Sequence, residues 1–121
     1  YQLVQLESFQ AGDADTVRAL AVARDGALFS GSWDKTIKVW SGTDGTLLHT
    51  LRGHTGYVRS LAIAPNGGLL SGCSDEMRVW HREQGWTGRI LEQGGSGVSA
   101  LAVGTDGRVF SNSDNNVHFW I

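Results

Sequence analysis

The sequence contains only one cysteine, Cys73, and one proline, Pro65. A single cysteine excludes an internal disulfide framework and does not by itself supply a structural zinc site. The four histidines lack the close spacing to one another or to cysteine that is typical of zinc ligands. We therefore expect no metal and no cofactor, and we expect Cys73 to be a buried, inert thiol.

Long apolar runs are also absent, since stretches such as ALAVA at 19–23 fall far short of the roughly 20 residues that cross a bilayer. The N-terminal segment YQLVQLESFQ lacks the regions of a signal peptide. Basic residues are few and dispersed, with a net charge of -2 and a pI near 6.0, which disfavours nucleic-acid binding. These absences predict a soluble, cytoplasmic protein with neither nucleic acid nor membrane as a partner.

Glycine is the residue in excess, with 17 among 121 residues, about twice the usual share of roughly 7%. The sequence also repeats itself. The segment VRALAVARDGALFSGS from Val17 is similar to VRSLAIAPNGGLLSGC from Val58 and to VSALAVGTDGRVFSNS from Val98, at offsets of 41 and 40 residues. Three copies fill the chain, and a fixed period of this length is typical of repeat architectures.

Each copy has the alternating pattern of short, half-buried strands, as in VRALAV from Val17 and TIKVW ending at Trp40. The triplets RDG at 24–26, PNG at 65–67 and TDG at 105–107 predict hairpins in which both central residues have positive φ. Further turns are expected at the aspartates that follow the second strand, Asp34, Asp75 and Asp114. Each complete unit is thus predicted to be four antiparallel strands, a to d, with almost no helix.

The repeat unit resembles the WD-repeat β-propeller family, whose units carry Gly-His near the start and a tryptophan that closes strand c. Gly53-His54 opens the second unit, and Trp40, Trp80 and Trp120 close the three third strands. The aspartate that usually follows the tryptophan is replaced by Ser41, His81 or Ile121. The resemblance implies an all-β fold of three four-stranded antiparallel blades, with units at 10–53, 54–93 and 94–121.

In this family a histidine, a serine or threonine, an aspartate and the tryptophan form a buried hydrogen-bond chain within a blade. The resemblance implies these positions for it: His54, Ser71, Asp75 and Trp80 in the second unit, Ser30, Asp34 and Trp40 in the first, and Ser111, Asp114 and Trp120 in the third. Each link is expected to contribute about 0.5–1.5 kcal/mol. The first and third units offer Asp13 and Gly94 near the histidine position, so we expect their blades to be looser.

The ends of the chain raise the question of ring closure. Residues 2–9 align with the fourth strands at 46–53 and 86–93, and the chain ends just after strand c of the third unit. Because closed propellers usually have 4 to 8 blades, residues 1–9 are predicted to supply the outer strand of a last blade in a neighbouring chain. A homodimer with six blades is preferred to a homotrimer with nine. The alternative is a segment of a longer propeller, excised or engineered.

The resemblance also implies a partner-binding face that carries the d–a and b–c loops. The matching residues are Thr16, Arg18 and Trp33 in the first unit, Tyr57, Arg59 and Ser74 in the second, and Gly97, Ser99 and Ser113 in the third. Trp, Tyr and Arg are enriched at binding hot spots, so the first two units are expected to make the contacts. The alternative is that Trp33 covers a neighbouring loop and the arginines are solvated.

A hydrolase is the enzymatic alternative, because Ser71, His54 and Asp75 are the residue types of a catalytic triad. The nucleophile-elbow motif G-x-S-x-G is absent from the sequence, so we expect these residues to be structural and the protein to have no catalytic activity. The leading hypothesis is a scaffold that binds a protein or peptide. The second hypothesis is a self-assembling half-propeller whose main partner is its own copy.

Overall fold

The computed structural model describes Leu3 and residues 16–74, 76–93, 98–113 and 116–120. These residues form three antiparallel sheets, each inside one of the predicted units. The first sheet contains β1 Val17–Val22, β2 Leu28–Ser32, β3 Ile37–Trp40 and β4 Leu47–Leu51. The second contains β5 Val58–Ile63, β6 Leu69–Cys73, β7 Glu76–His81 and β8 Thr87–Gln93, and the third contains β9 Leu101–Val103, β10 Val109–Ser113 and β11 Asn116–Trp120. The all-β blade architecture predicted from the sequence is confirmed.

The hairpins between the first two strands of each sheet differ from the prediction. In the first, Ala23 N donates to Ala27 O at 2.9 Å, which closes a three-residue loop rather than a two-residue one. Gly26 takes positive φ, whereas Asp25 does not, as in a turn that ends in a left-handed glycine. Asp25 instead accepts a hydrogen bond from Ala27 N at 3.0 Å through its side chain. The expectation of positive φ at both central residues was therefore wrong.

The repeated Ser-Gly pair marks the place where adjacent sheets touch. A Cβ atom built on Gly31 would collide with the Val58 side chain at the start of β5, and one on Gly72 would lie 2.7 Å from Val98 Cγ1. Only glycine permits this approach. The third unit has Asn112 at the equivalent position. The glycine repeats are thus a consequence of blade-against-blade packing.

The core lies mainly between the first two sheets. Strand β5 packs against β1 and β2, and β9 packs against β5 and β6. The largest buried apolar side chains at the first contact come from both sheets, and they are Phe29, Ile37, Val39, Leu51, Val58, Leu61, Leu69, Trp80 and Trp86. Burial of these apolar side chains, at about 25 cal/mol per Å², adds stability that strand pairing within each sheet does not supply.

The loop that joins β7 to β8 forms an unpredicted latch on the first sheet. A 3-10 turn at Arg82–Gln84 is followed by Gly85 and Trp86, both with positive φ. Sequence alignment placed Trp86 at the start of the fourth strand, but β8 begins at Thr87. The Trp86 ring is buried and meets the Phe29 ring edge-on, with centroids 5.5 Å apart.

An ion pair and a cation–π contact hold this latch in place. Arg82 Nη1 donates to the Asp25 carboxylate of the first sheet, and Arg82 Cζ lies 5.2 Å from the centroid of the Trp86 ring. The Ala27 backbone N–H and the Arg82 guanidinium together lower the pKa of Asp25 below its usual value. The second sheet is therefore fastened to the first by side chains as well as by strand packing.

The two outer faces of the three-sheet stack are apolar and open. Val39 is 1% exposed beneath the second sheet, whereas Phe119, its equivalent in the third, is 69% exposed. Leu61 is 8% exposed, whereas Leu20, its equivalent in the first sheet, is 63% exposed. Each outer face therefore has the chemistry of a blade contact without a neighbour among the described residues.

The prediction that residues 1–9 supply an outer strand falls, apart from the exposed Leu3, outside the described residues. Within the described ranges the third sheet has three strands in the order β11-β10-β9. In the same ranges we find no helix of the length and apolar character needed to span a bilayer.

Candidate functional site

The predicted contact residues of the first two units gather on one face, where the start of each first strand meets a b–c turn. Trp33, in the turn after β2, donates its backbone N–H to Thr16 O at 3.2 Å. This hydrogen bond fixes the turn beside the beginning of β1. The Trp33 side chain reaches Tyr57 of the second unit.

Two exposed aromatic rings stack across the boundary between the first two units. The Trp33 and Tyr57 rings have centroids 5.4 Å apart and an interplanar angle of 21°, and Arg18 Cζ lies 5.9 Å from the centroid of the Trp33 ring. Stacked rings and a cation over an aromatic face are mutually favourable arrangements. Trp33 nevertheless remains 39% exposed, so the stack is ordered but not covered.

A cleft of about 260 Å³ lies beside this stack. Its lining combines two cationic, one aromatic and two hydroxyl side chains with one glycine, and these residues are Lys35, Thr55, Gly56, Tyr57, Arg59 and Ser74. The structure thus brings together Tyr57, Arg59 and Ser74, three of the residues that the resemblance assigned to partner binding. It adds Lys35, which sequence reasoning missed although it follows the assigned Trp33-Asp34 pair in the same turn.

The equivalent face of the third unit has a different chemistry. Asn112 Oδ1 accepts hydrogen bonds from the backbone N–H groups of Ser99 at 3.0 Å and Ala100 at 2.9 Å, and Asn112 Nδ2 donates to Ser99 Oγ at 2.8 Å. Gly97 and the side chain of Ser113 lie outside the described residues. The described part of this unit therefore presents short, internally bonded polar groups.

A second candidate cluster is buried inside the second sheet. Trp80 Nε1 donates to Ser71 Oγ at 2.8 Å, Ser71 Oγ contacts His54 Nε2, and His54 Nδ1 lies 3.1 Å from Glu76 Oε1. One proton assignment satisfies these three bonds, with Nδ1–H donating to Glu76 and Nε2 accepting from the Ser71 hydroxyl. The predicted partners His54, Ser71 and Trp80 are thus connected.

The described carboxylate of this hydrogen-bond network is that of Glu76, which sequence reasoning did not assign. Glu76 also accepts a hydrogen bond from Arg78 Nε at 2.7 Å, so the buried acid has a cationic partner. Asp75, the acid predicted for this role, lies outside the described residues. The only sequence signal for Glu76 was its position directly before the apolar alternation of β7.

The order Ser71, His54, Glu76 is that of a hydrolase triad, but burial prevents its use on a substrate. The Ser71 side chain is fully buried, and its oxygen already accepts the Trp80 indole N–H. A nucleophilic serine needs an open approach and oxyanion donors where the substrate carbonyl will lie. This network is therefore suited to cementing the blade.

The other two units retain shorter versions of the network. Trp40 Nε1 donates to Ser30 Oγ at 2.9 Å, and Trp120 Nε1 donates to Ser111 Oγ at 2.8 Å. Asp114 lies outside the described residues. The tryptophan–serine bond is thus present in all three units, whereas the described histidine link belongs to the second, and the looser packing of the other two stays a prediction.

Asp34 has a local role in its turn. It accepts hydrogen bonds from Thr36 N at 2.9 Å and Thr36 Oγ1 at 2.6 Å, and Lys38 Nζ lies 3.3 Å away. Burial opposes ionisation of Asp34, but the bonds from Thr36 and Lys38 outweigh it and lower the pKa of the carboxyl below its usual value. Asp34 therefore orders the turn that carries Trp33.

Metal-ligand types do meet in the second sheet, contrary to what histidine spacing suggested. Ligand atoms of His54, Cys73 and Glu76 lie within 4.8 Å of one another, and all three residues are buried. Three ligands fall short of the four of a closed zinc site. Both His54 nitrogens and Glu76 Oε1 are already hydrogen-bonded. Glu76 Oε2 is the one buried side-chain nitrogen or oxygen atom in the described ranges without a hydrogen-bond partner. Hydrogen bonding therefore explains why His54 and Glu76 lie close together, without a bound metal.

Comparison with known proteins decides the family. The pattern of the WD domain, G-beta repeat (WD40) matches residues 4–41 and 45–81, more than half of the chain. The chain belongs to the WD40 repeat family. WD40 propellers are generally protein-interaction scaffolds rather than enzymes, and the triad-like cluster described in the second sheet is buried.

Two relatives support this membership. Over 47 residues the WD40 chain is 45% identical to the WD repeat-containing protein pop1 of Schizosaccharomyces pombe, a match that covers 39% of this chain and 6% of pop1. The crystal structure of the WD40 beta propeller domain of Doa1 superposes with a TM-score of 0.82 and 28% identity, covering 94% of this chain and 39% of that one. The chain thus spans well under half the length of either relative.

Proposed function

We propose that this WD40 chain is a non-catalytic, cytoplasmic scaffold that binds a protein or peptide through the face bearing Trp33 and Tyr57. The observation that carries the proposal is the exposed Trp33–Tyr57 stack, with Arg18 over the Trp33 ring. Arg59, Thr16 and Ser74 border it. The proposed binding residues are therefore the same ones that the sequence analysis assigned to this face.

The side chains of the Trp33–Tyr57 stack are already ordered by their contact with each other. Aromatic and arginine side chains contribute most at interfaces because they bury large areas. Here the stack holds the rings in place before a partner arrives, so less conformational entropy is lost on binding. A partner that covers the stack gains apolar burial on a preorganised surface.

To test the proposal, a displayed library of short random peptides is selected on the immobilised protein. We expect enriched peptides whose affinity falls about tenfold or more with Trp33→Ala, the effect of removing a central aromatic anchor. Phe119→Ala is the matched control, because it removes an exposed aromatic ring of the third sheet, away from the stack. If no peptide is enriched, or if both variants weaken binding equally, the proposal is wrong.

A second candidate function, self-assembly, is favoured by the open outer faces. The first sheet presents Leu20 and Val22, and the third presents Val117 and Phe119. Their equivalents, Leu61 with Ile63 and Ile37 with Val39, pack together between the first two sheets. A second copy placed head to tail would repeat that contact, which is the heterologous geometry of a closed ring.

One residue opposes a perfect repetition of this contact. Asn112 stands where Gly31 and Gly72 admit the valine of the next blade, and the valine of a second copy would be Val17. By light scattering, self-assembly predicts a mass of about twice the 13.0 kDa of one chain, and Asn112→Gly should tighten the association. A mass of 13.0 kDa for both the wild type and Asn112→Gly excludes self-assembly. It favours the alternative that further blades of a longer polypeptide cover the open outer faces.

A further inference from the structure

The described lining of the cleft beside the aromatic stack contains two cationic side chains and no acidic one. Arg18, Lys35 and Arg59 all lie at this face, and none of them forms an ion pair with any residue that the structure describes. By contrast, Lys38, Arg78, Arg82 and Arg108 each form an ion pair with a described carboxylate. These three cations, for which no ion pair is described, lie beside the surface assigned to partner binding.

Lys35 occupies a backbone conformation that lysine disfavours. Its φ is 73°, in the left-handed region, where glycine and asparagine are the common residues. A lysine there raises the free energy of the folded turn by about 1 kcal/mol or more. The side chain is exposed and lines the cleft, so nothing that it packs against within its own sheet explains this choice.

The two segments of the second unit that line the cleft pack closely against each other. A Cβ atom on Gly56 would collide with Ser74 Oγ, so the loop before β5 and the turn after β6 are in direct contact. Arg59 is half-buried in the cleft lining, while Lys35 projects from the turn of the first unit. The two cations thus reach one cleft from two different blades.

From these observations we infer that the cleft binds the carboxylate of an acidic side chain, aspartate or glutamate, in the partner peptide, while the neighbouring stack receives an apolar group. The inference rests on the proposed binding function. The Arg59 guanidinium supplies a fork of N–H donors suited to a carboxylate, and Lys35 supplies a second cation. The cleft is lined by a single guanidinium, not by the arginine cluster typical of phosphate recognition.

Short-range contacts must provide this selectivity, because the chain as a whole has a net charge of -2 and does not attract anions at a distance. The bound carboxylate would form charge-assisted hydrogen bonds in a partly desolvated cleft. Affinity should therefore fall with added salt, but less steeply than for an interface held by exposed charges alone.

The test uses four pools of otherwise random fluorescent peptides with a fixed central residue, namely glutamate, glutamine, phosphoserine or lysine, titrated against the whole chain by anisotropy. We expect the glutamate pool to bind about tenfold more tightly than the glutamine pool, the range of a hydrogen-bonded charge. Lys35→Asn and Arg59→Gln should each remove most of that difference. Lys35→Asn should fold at least as well as the wild type, because asparagine tolerates positive φ.

The control variant is Arg89→Gln, which removes an exposed cation of β8 and should leave the preference for glutamate unchanged. Equal binding of the glutamate and glutamine pools, still abolished by Trp33→Ala, would overturn the carboxylate site and leave the scaffold proposal intact. Preference for phosphoserine over glutamate would overturn the assignment in favour of a phosphate site. Absence of binding by all pools would overturn both proposals.

Discussion

Replacing Trp86 with alanine is expected to lower the free energy of unfolding by about 3–5 kcal/mol, the range for truncating a buried tryptophan. The Trp86 ring is buried against Phe29 of the first sheet, so its loss opens a cavity between two blades. Alanine also keeps the unfavourable positive φ of this position, and the burial that offset it is gone. Urea unfolding followed by circular dichroism measures the change.

The loss should be concentrated at the contact between the first two blades. Because each unit of a repeat protein contacts only its neighbours, amide exchange should accelerate most in β1, β2 and β5. Trp33→Ala, which removes the exposed tryptophan of the binding face, is the matched control and should change stability by less than about 1 kcal/mol. Similar losses for both variants would show that the latch is not a major contact.

Ser71→Ala is expected to destabilise the chain by about 2–4 kcal/mol. The substitution removes the shared partner of Trp80 Nε1 and His54 Nε2, and each buried polar group left without a partner costs about 1–3 kcal/mol. The volume change is small, so the effect measures hydrogen bonding rather than packing. Thermal and urea unfolding both report it.

Ser30→Ala in the first blade is the matched control for this prediction. It makes the same chemical change but leaves a single described donor, Trp40 Nε1, without its acceptor. We expect roughly half the destabilisation seen with Ser71→Ala. Equal effects would mean that the histidine link adds nothing to the second blade, and the network would then be a set of independent tryptophan–serine bonds.

Much of the fold was accessible from sequence because its causes are local. Alternating apolar residues and Gly-containing turns placed every described strand inside the expected unit. The hairpin geometry was missed because Asp-Gly is compatible with loops of two or three residues, and the choice depends on how the flanking strands pair. The latch was missed because nothing in the sequence around Trp86 states which blade its ring will meet.

The residues of the proposed binding face were identified only in part, for a similar reason. Trp33, Tyr57, Arg18 and Arg59 were assigned by their positions within the repeat, and the structure places them together. Lys35 was missed because its importance lies in an unusual φ and in its position between two blades. Glu76 was missed because alignment assigns the acid of the network to Asp75, and nothing local in the sequence shows that the Glu76 carboxylate also reaches His54.

The sequence by itself determined that the chain is built from three similar β units, because strand alternation, turn glycines and a 40-residue period are short-range properties of the chain. Only the tertiary structure decided how the units meet. Gly31 against Val58, Trp86 against Phe29, and the Trp33–Tyr57 stack all join residues of different units. Such contacts depend on the relative placement of whole sheets, which is fixed by close packing of their buried faces and not by any local signal.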